Sequence, residues 1–392
     1  MELSVYFDPV GLQKMEMLSS RRPRMMDYCI IHSDEQGFPD LDGVQIALIG
    51  VPEERGNVNN TGCAGAPDKI REQLFQLFPA HWKIRLADLG NIKKGHSLND
   101  TFFAISAVCG ELLKNNITPV LLGGSQDITW ATYKSYEELG QIINIVSVDS
   151  RFDLGEEDSA ISAQSYLSKI LLHQPNYLFN YTNIGYQSYY VDNDAVNLMS
   201  KLLFDTYRLG VVRADMEEVE PIVRNADMLS VDISAIRKAE APGNKNAGPN
   251  GFYGEEICQI MRYAGLSDKL SCLGIFEYNP EYDDNHQTAM LIAQMIWYFL
   301  EGFSHRKNDF PYRDKDKSDY LKYVVPVENH TEDLIFYKSK KSDRWWMEVQ
   351  CTANVKARYE RHYMVPCSYQ DYQAACANDI PERWWMVYQK LM

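Results

Sequence analysis

Short apolar runs alternate along this chain with segments whose apolar residues recur every three or four positions. Residues 44–51, 117–122, 142–148, 177–184, 228–233 and 270–276 are too uniformly apolar to present a wet face, and they read as buried strands. Between them, residues 98–115, 128–139, 160–172, 216–225, 253–264 and 288–303 carry helical periodicity. A further helix opens at Pro67 and places Ile70, Leu74, Leu77 and Phe78 on one face. This alternation predicts an α/β fold, a mostly parallel sheet covered by helices on both sides. Residues 1–43 have no clean period and form an N-terminal extension, and 44–303 form the α/β domain. Residues 304–320 are charged, poor in apolar side chains, and read as a linker. The pattern then changes. Residues 320–327, 333–337 and 342–349 read as strands, and 369–377 and 381–391 as helices, the last with Asp379 as its N-cap. The stretch 304–392 is therefore a linker followed by an α+β extension.

Three of the core strands run into polar residues. Residues 117–122 lead into Gly123-Gly124-Ser125-Gln126-Asp127, 142–148 into Asp149-Ser150-Arg151-Phe152-Asp153, and 228–233 contain Asp232, with Ser234 just beyond. In an extended segment alternate residues share a face, so Asp149, Arg151 and Asp153 are expected to converge at the carboxyl end of a strand, where open α/β sheets place their sites.

These strand ends, in this order, resemble those of the arginase/agmatinase/formimidoylglutamase family, the ureohydrolases. The family carries Gly-Gly-Asp-His, then Asp-Ala-His-x-Asp, then Ser-x-Asp-x-Asp. Glu277 in Ile275-Phe276-Glu277-Tyr278-Asn279-Pro280 and the run Ala241-Pro242-Gly243 match two further signatures, and the resemblance spans roughly residues 44–303. It implies a three-layer α/β/α sandwich and two manganese ions that activate a bridging hydroxide for attack on a guanidinium or amidine carbon. It also implies that Glu277 faces that cationic group and that the loop 52–65 walls the cleft. Three of the six implied ligand positions depart from the pattern. Gln126 and Arg151 stand where the family has histidine, and Ser234 where it has aspartate.

Arginine has no lone pair to give a metal, so the second site reads as lost. Asp149, Asp153 and Asp232 with the amide oxygen of Gln126 could still hold one weakly bound hard cation, Mn²⁺, Mg²⁺ or Ca²⁺. Two carboxylates about 4 Å apart repel by roughly 4 kcal/mol at an effective dielectric near 20, so the cluster needs a counter-charge. Arg151 is expected to supply it, as a built-in substitute for the second metal. The two-manganese cluster is not expected.

The eight cysteines are scattered without a Cys-x-x-Cys, as in reduced cytoplasmic thiols, and Cys109 and Cys258 read as core. The formal charge of −15 is concentrated in residues 1–305, which hold 24 Lys/Arg against 41 Asp/Glu. Such an acidic body argues against nucleic acid as a partner. The basic run Arg21-Arg22-Pro23-Arg24 reads as a solvated turn, and His286 as a residue capping or flanking a helix. No apolar run is long enough to span a bilayer, and no secretory leader is expected. Four of the seven tryptophans lie beyond residue 306, a candidate protein-interaction surface. Three functions follow from this reading. The favoured one is a ureohydrolase-fold protein without most of its metal site, catalytically silent, binding a small cationic ligand or acting as a scaffold and forming a homo-oligomer as its relatives do. The alternative is an active hydrolase of linear amidines or guanidines with one metal or a rearranged site. The third is an interaction protein working through the aromatic-rich extension.

Overall fold

The computed structural model describes residues 2–14, 22–155, 160–311, 317–328 and 332–392. Ten strands form one sheet: β1 (Phe7–Asp8), β2 (Ile30–Ile31), β3 (Ile46–Gly50), β4 (Leu86–Ile92), β5 (Thr118–Leu122), β6 (Ile143–Val148), β7 (Leu178–Tyr186), β8 (Asp205–Arg208), β9 (Met228–Asp232) and β10 (Cys272–Phe276). Their order is β1-β4-β3-β5-β10-β9-β6-β7-β8, with β2 also on β4. The pairings are parallel except that of β1 with β4. Alternate residues feed opposite cores. Val120 and Leu122 pack with the helices Ala66–Leu74, Val219–Arg224, Gly254–Leu266 and Gln287–Ser304, whereas Leu121 packs with Leu98–Lys114, Ile128–Glu138 and Tyr166–Leu172. The three-layer α/β/α sandwich anticipated above is thus present.

Four adjacent central strands, β5, β10, β9 and β6, end in Gln126, Glu277, Asp232 and Asp149 or lead directly into them. Parallel pairing aligns these ends: Phe276 stands opposite Asp232, and Val148 opposite Val231. The polar residues therefore meet at one pole.

Several elements escaped the periodicity. Strand β4 is interrupted by Asp88, Gly90 and Asn91, yet it lies inside the sheet because Asp88 forms a fully buried ion pair with Arg71, 2.8 Å apart. The edge strand β8 and the helix Asn193–Lys201 are too polar to announce themselves. The first helix stops at Leu74, leaving Leu77 beyond it and Phe78 half-exposed. The helix predicted from residue 160 begins at Tyr166.

Beyond the body, β11 (Tyr320–Val325), β12 (Leu334–Ser339), β13 (Trp345–Glu348) and β14 (Met364–Cys367) form a second, wholly antiparallel sheet. The helices Tyr369–Cys376 and Glu382–Leu391 cover it through Ala375, Trp384, Val387 and Leu391. Pro381, not Asp379, holds the N-cap position of the last helix; the backbone of Asp379 instead closes the preceding turn on Ala374. Part of the expected linker is pinned down: Arg306 donates to the Gly265 and Leu270 carbonyls, and Phe310 is buried with Trp346 and Met364. Arg21 of the basic run and residues 312–316 of the linker lie outside the described residues.

This second sheet docks on the pole opposite the polar strand ends. Arg224 donates to the carbonyls of Trp345 and Cys367, each at 3.1 Å, with its guanidinium over the Trp346 ring. Arg361 pairs with buried Asp227, just before β9, at 2.7 Å. His362 reaches the Ile142 carbonyl, just before β6, at 3.1 Å, and its ring stacks on Phe179. Because Nδ1 of His362 is buried with no partner, the ring is neutral with its proton on Nε2.

Burial pushes the His362 pKa down to about 3. A depressed folded-state value means that the stability this histidine permits is fully present above its unfolded pKa and is lost as pH falls through the window between the two. We expect wild type to lose about 2 kcal/mol between pH 8 and pH 5 relative to His362→Gln, measured by urea unfolding of both proteins. Parallel pH dependences in the two proteins would show that the imidazole is not held neutral.

Candidate active site

The site is built from strand ends and one long loop. After β5 the chain must turn at once, and Gly123 and Gly124 take φ values of +75° and +82°. A Cβ on Gly124 would lie 2.7 Å from the Val51 carbonyl oxygen, so a side chain there would displace the neighbouring strand end. The turn points the amide N–H of Gln126 at the Glu277 carboxylate, 3.0 Å away.

Asp149, Asp153 and Asp232 come together, each with a carboxylate oxygen within 4.8 Å of the others. Asp149 and Asp232 are buried and Asp153 is partly so. Asp149 accepts the Arg151 backbone N–H at 2.9 Å, and Asp232 accepts that of Ser234 at 2.6 Å. Burial and then the charge of Asp153 drive the Asp149 pKa well above the usual carboxylate range. Burial and then Asp149 do the same to Asp232. Burial raises Asp153 to about 7, with Asp232 and Glu277 adding to it.

Glu277 is held from several sides. Asn57 Nδ2 donates to both of its oxygens at 2.9 and 2.8 Å, and Asn60 Nδ2 to one of them at 3.0 Å. Asn60 and Asn244 also donate to its backbone carbonyl. Burial nonetheless raises its pKa. Glu277 and Asp153 both adopt left-handed backbone, with φ of +66° and +52°. Such conformations cost about 1–3 kcal/mol each and survive where surrounding contacts over-determine them. Asn57, Asn60 and Asn244 were not picked out as site residues in the sequence; the asparagine enrichment of residues 57–60 was the available signal.

Gln126 donates through Nε2 to Ser230 Oγ at 2.9 Å, on the face of β9 that Ser230 shares with Asp232. Its Oε1 is buried with no hydrogen-bond partner, and so is Asp149 Oδ2. Next to it, the carboxylate oxygens of buried Asp127 have no well-formed hydrogen bond among the described residues, and burial pushes that group up to about 7, with Ser125 opposing the shift. Ser234 lies in a short 3₁₀ turn, where its N–H serves Asp232. His286 precedes the helix Gln287–Ser304 with φ of +56°, and Asp283 does the capping, accepting from Thr288 and Ala289.

Arg151 is not where it was expected. The chain bends after Asp149 instead of continuing extended, so the guanidinium is exposed and lies over the Tyr190 ring, 4.4 Å from its centroid. Among the described residues it forms no ion pair with the acid cluster. The cost of stripping water from a guanidinium is avoided on this aromatic face. Arg151 thus lacks the direct contact with Asp149 or Asp232 expected of a substitute cation, although its charge still counters the raised pKa values of Asp149 and Asp153.

The donor set fits one hard divalent ion: three converging carboxylates and an amide oxygen without a hydrogen-bond partner among the described residues. Arg151 and Ser234 add neither a carboxylate nor an imidazole to this set. In chelator-treated protein the raised pKa of Asp153 makes its charge a cost that grows as pH rises through the window from about 4 to about 7. Added Mg²⁺ or Mn²⁺ is therefore expected to raise the melting temperature at pH 8 more than at pH 5, by about 3 kcal/mol of stabilisation at a hundredfold excess over Kd. Asp149→Asn should abolish the increment. A melting temperature indifferent to both ions at pH 8 would refute the cation site.

Residues 44–301 match the model of the arginase family. A formimidoylglutamase of Staphylococcus aureus is 27% identical over 288 residues, covering 69% of this chain and 92% of the relative. That of Staphylococcus haemolyticus is 26% identical over 276 residues, 66% of this chain and 86% of the relative. Among solved structures, the formimidoylglutamase of Bacillus subtilis superposes with a TM-score of 0.66 at 20% identity, covering 74% of this chain and 95% of that one. A Trypanosoma cruzi formiminoglutamase with Mn²⁺ gives 0.64 at 17% identity, covering 72% and 99%.

Proposed function

Because the chain belongs to the arginase family, we propose that it is a metal-dependent C–N hydrolase of linear amidines or guanidines, working with one divalent cation at Asp149, Asp153 and Asp232. The observation that carries this reading is the convergence of three carboxylates, none of them in an ion pair among the described residues. A silent scaffold is the favoured reading of the sequence because Gln126, Arg151 and Ser234 depart from the family's ligand pattern. Three carboxylates nonetheless converge, and Arg151 stacks on Tyr190 without an ion pair to them among the described residues, which favours the hydrolase reading instead. The curated relatives named formimidoylglutamases, aligned over most of their length, support the same substrate class.

In this reading Asp149, Asp153 and Asp232 hold the ion, with Gln126 Oε1 as a fourth donor. A cation so held would polarise the substrate and lower the pKa of a coordinated water. Glu277 presents a carboxylate fixed by Asn57, Asn60 and the Gln126 N–H, which orients an amidinium before reaction. Its burial strengthens that charge–charge contact relative to water.

The test supplies the full chain with Mn²⁺ or Mg²⁺ and offers formimidoylglutamate and 4-guanidinobutanoate, reading release of formamide, ammonia or urea. Turnover is expected, and Glu277→Gln should lower kcat/KM by about 100-fold or more. Stoichiometric cation binding with no turnover of either substrate would make the protein a ligand binder and overturn the hydrolase reading.

A further inference from the structure

A second feature bears on which amidine the site accepts, and it rests on the hydrolase reading above. Arg151 stands between two cluster residues in sequence, on the same pole of the sheet, with its side chain exposed. Its guanidinium is held flat over Tyr190. Among the described residues its side chain has no hydrogen bond or ion pair, so its N–H edges have no partner there.

The platform beneath it is built, not incidental. The Tyr190 backbone N–H donates to the Gln187 carbonyl at 2.8 Å, and that of Gln187 donates to the Ser150 carbonyl at 3.0 Å. The turn after β7 is thus tied to the turn after β6. From the other side, a Cβ on Gly248 would lie 2.9 Å from the Tyr190 hydroxyl, so the loop after β9 packs directly against the ring. Tyr189 meets Tyr190 edge-on at 4.7 Å. Three strand-end loops therefore fix one aromatic face, and that face fixes the guanidinium.

The charge pattern is polar along the approach to the site. Inside lie three clustered carboxylates and Glu277; on the same pole the exposed Arg151 guanidinium presents a planar, bidentate donor edge. A substrate with cationic groups at both ends would meet repulsion at Arg151. A neutral tail would gain nothing there. We propose that Arg151 is a specificity-determining residue that takes a carboxylate at the end of the substrate remote from the amidine, so that the site selects linear amidino or guanidino acids. The position that forfeits a metal ligand thereby gains a handle on the substrate.

The experiment measures binding by titration calorimetry on the full chain with excess Mg²⁺, using three probes of similar length: 4-guanidinobutanoate, its neutral amide, and agmatine, whose far end is an ammonium. Wild type is expected to bind the carboxylate probe about tenfold or more tighter than the amide, with agmatine weakest. Arg151→Gln should collapse the three affinities to within about twofold of one another, Arg151→Lys should keep part of the preference, and Tyr190→Leu should weaken only the carboxylate probe. Equal affinities in wild type, equal weakening of all three probes by Arg151→Gln, or no binding of the carboxylate probe would each overturn the proposal. The two readings fail differently. Discrimination without turnover on any cation refutes the hydrolase and leaves Arg151 in its role, whereas turnover without preference for the carboxylate refutes the role and leaves the hydrolase.

Discussion

The constraint on which the rest depends is the burial of like charges at the ends of neighbouring strands. Asp149 and Asp232 follow β6 and end β9, which pair directly, and Asp153 folds back between them. Carboxylates this close repel by several kcal/mol even in a moderately polarisable interior. Backbone donors from Arg151 and Ser234 relieve only part of this, each giving one N–H to one oxygen. Asp149 Oδ2 is left without any partner. A buried acceptor with no donor costs about 1–3 kcal/mol, and more when charged, so the arrangement calls for a cation or for protons.

Glu277 is treated in the opposite way. It is as deeply buried as the cluster acids, yet donors from Asn57, Asn60 and Gln126 converge on its carboxylate. It accepts a strained left-handed backbone to sit there. The same asparagines organise the loop after β3, because Asn57 also caps the backbone of Asn59 and Asn60, and Asn279 ties Asn60 and Thr61 back to the β10 end. A charge solvated by fixed amides is preorganised; one left bare is reserved for a ligand. Under the proposed function, the contrast between Glu277 and the triad would separate the group that orients substrate from the groups that hold an ion.

Much of this was legible in the sequence, for identifiable reasons. Uniformly apolar runs such as those of β5, β6, β9 and β10 admit no wet face, so a sheet buried on both sides followed directly. The carboxylates at their ends could be placed because parallel strands share a polarity. What escaped was whatever depends on one buried polar pair or one bend. Strand β4 is internal only because Arg71 satisfies Asp88. Arg151 was assigned to the cluster by strict alternation, which holds only while the chain stays extended; it bends at Ser150, and the side chain that alternation sends inward goes to Tyr190. Anchors such as Asn244 reach Glu277 only through a return of the chain that no local pattern records.

The second sheet adds a mechanical element to the same strands. Its contacts fall at the amino ends of β6, β9 and β10, through His362 at Ile142, Arg361 at Asp227 and Arg306 at Leu270, while the acids sit at or beyond the carboxyl ends. A five-residue strand is about 17 Å long, so the extension cannot touch the cluster by way of these strands. It can act on the cluster only by holding them in register. Charges buried in that interface, Asp227 with Lys269 and Arg361, are costly to separate once formed. Strand ends that must hold mutually repelling carboxylates are thereby fastened from behind by Asp227 held between Lys269 and Arg361. The repulsion at one pole is borne by a sheet whose other pole is locked.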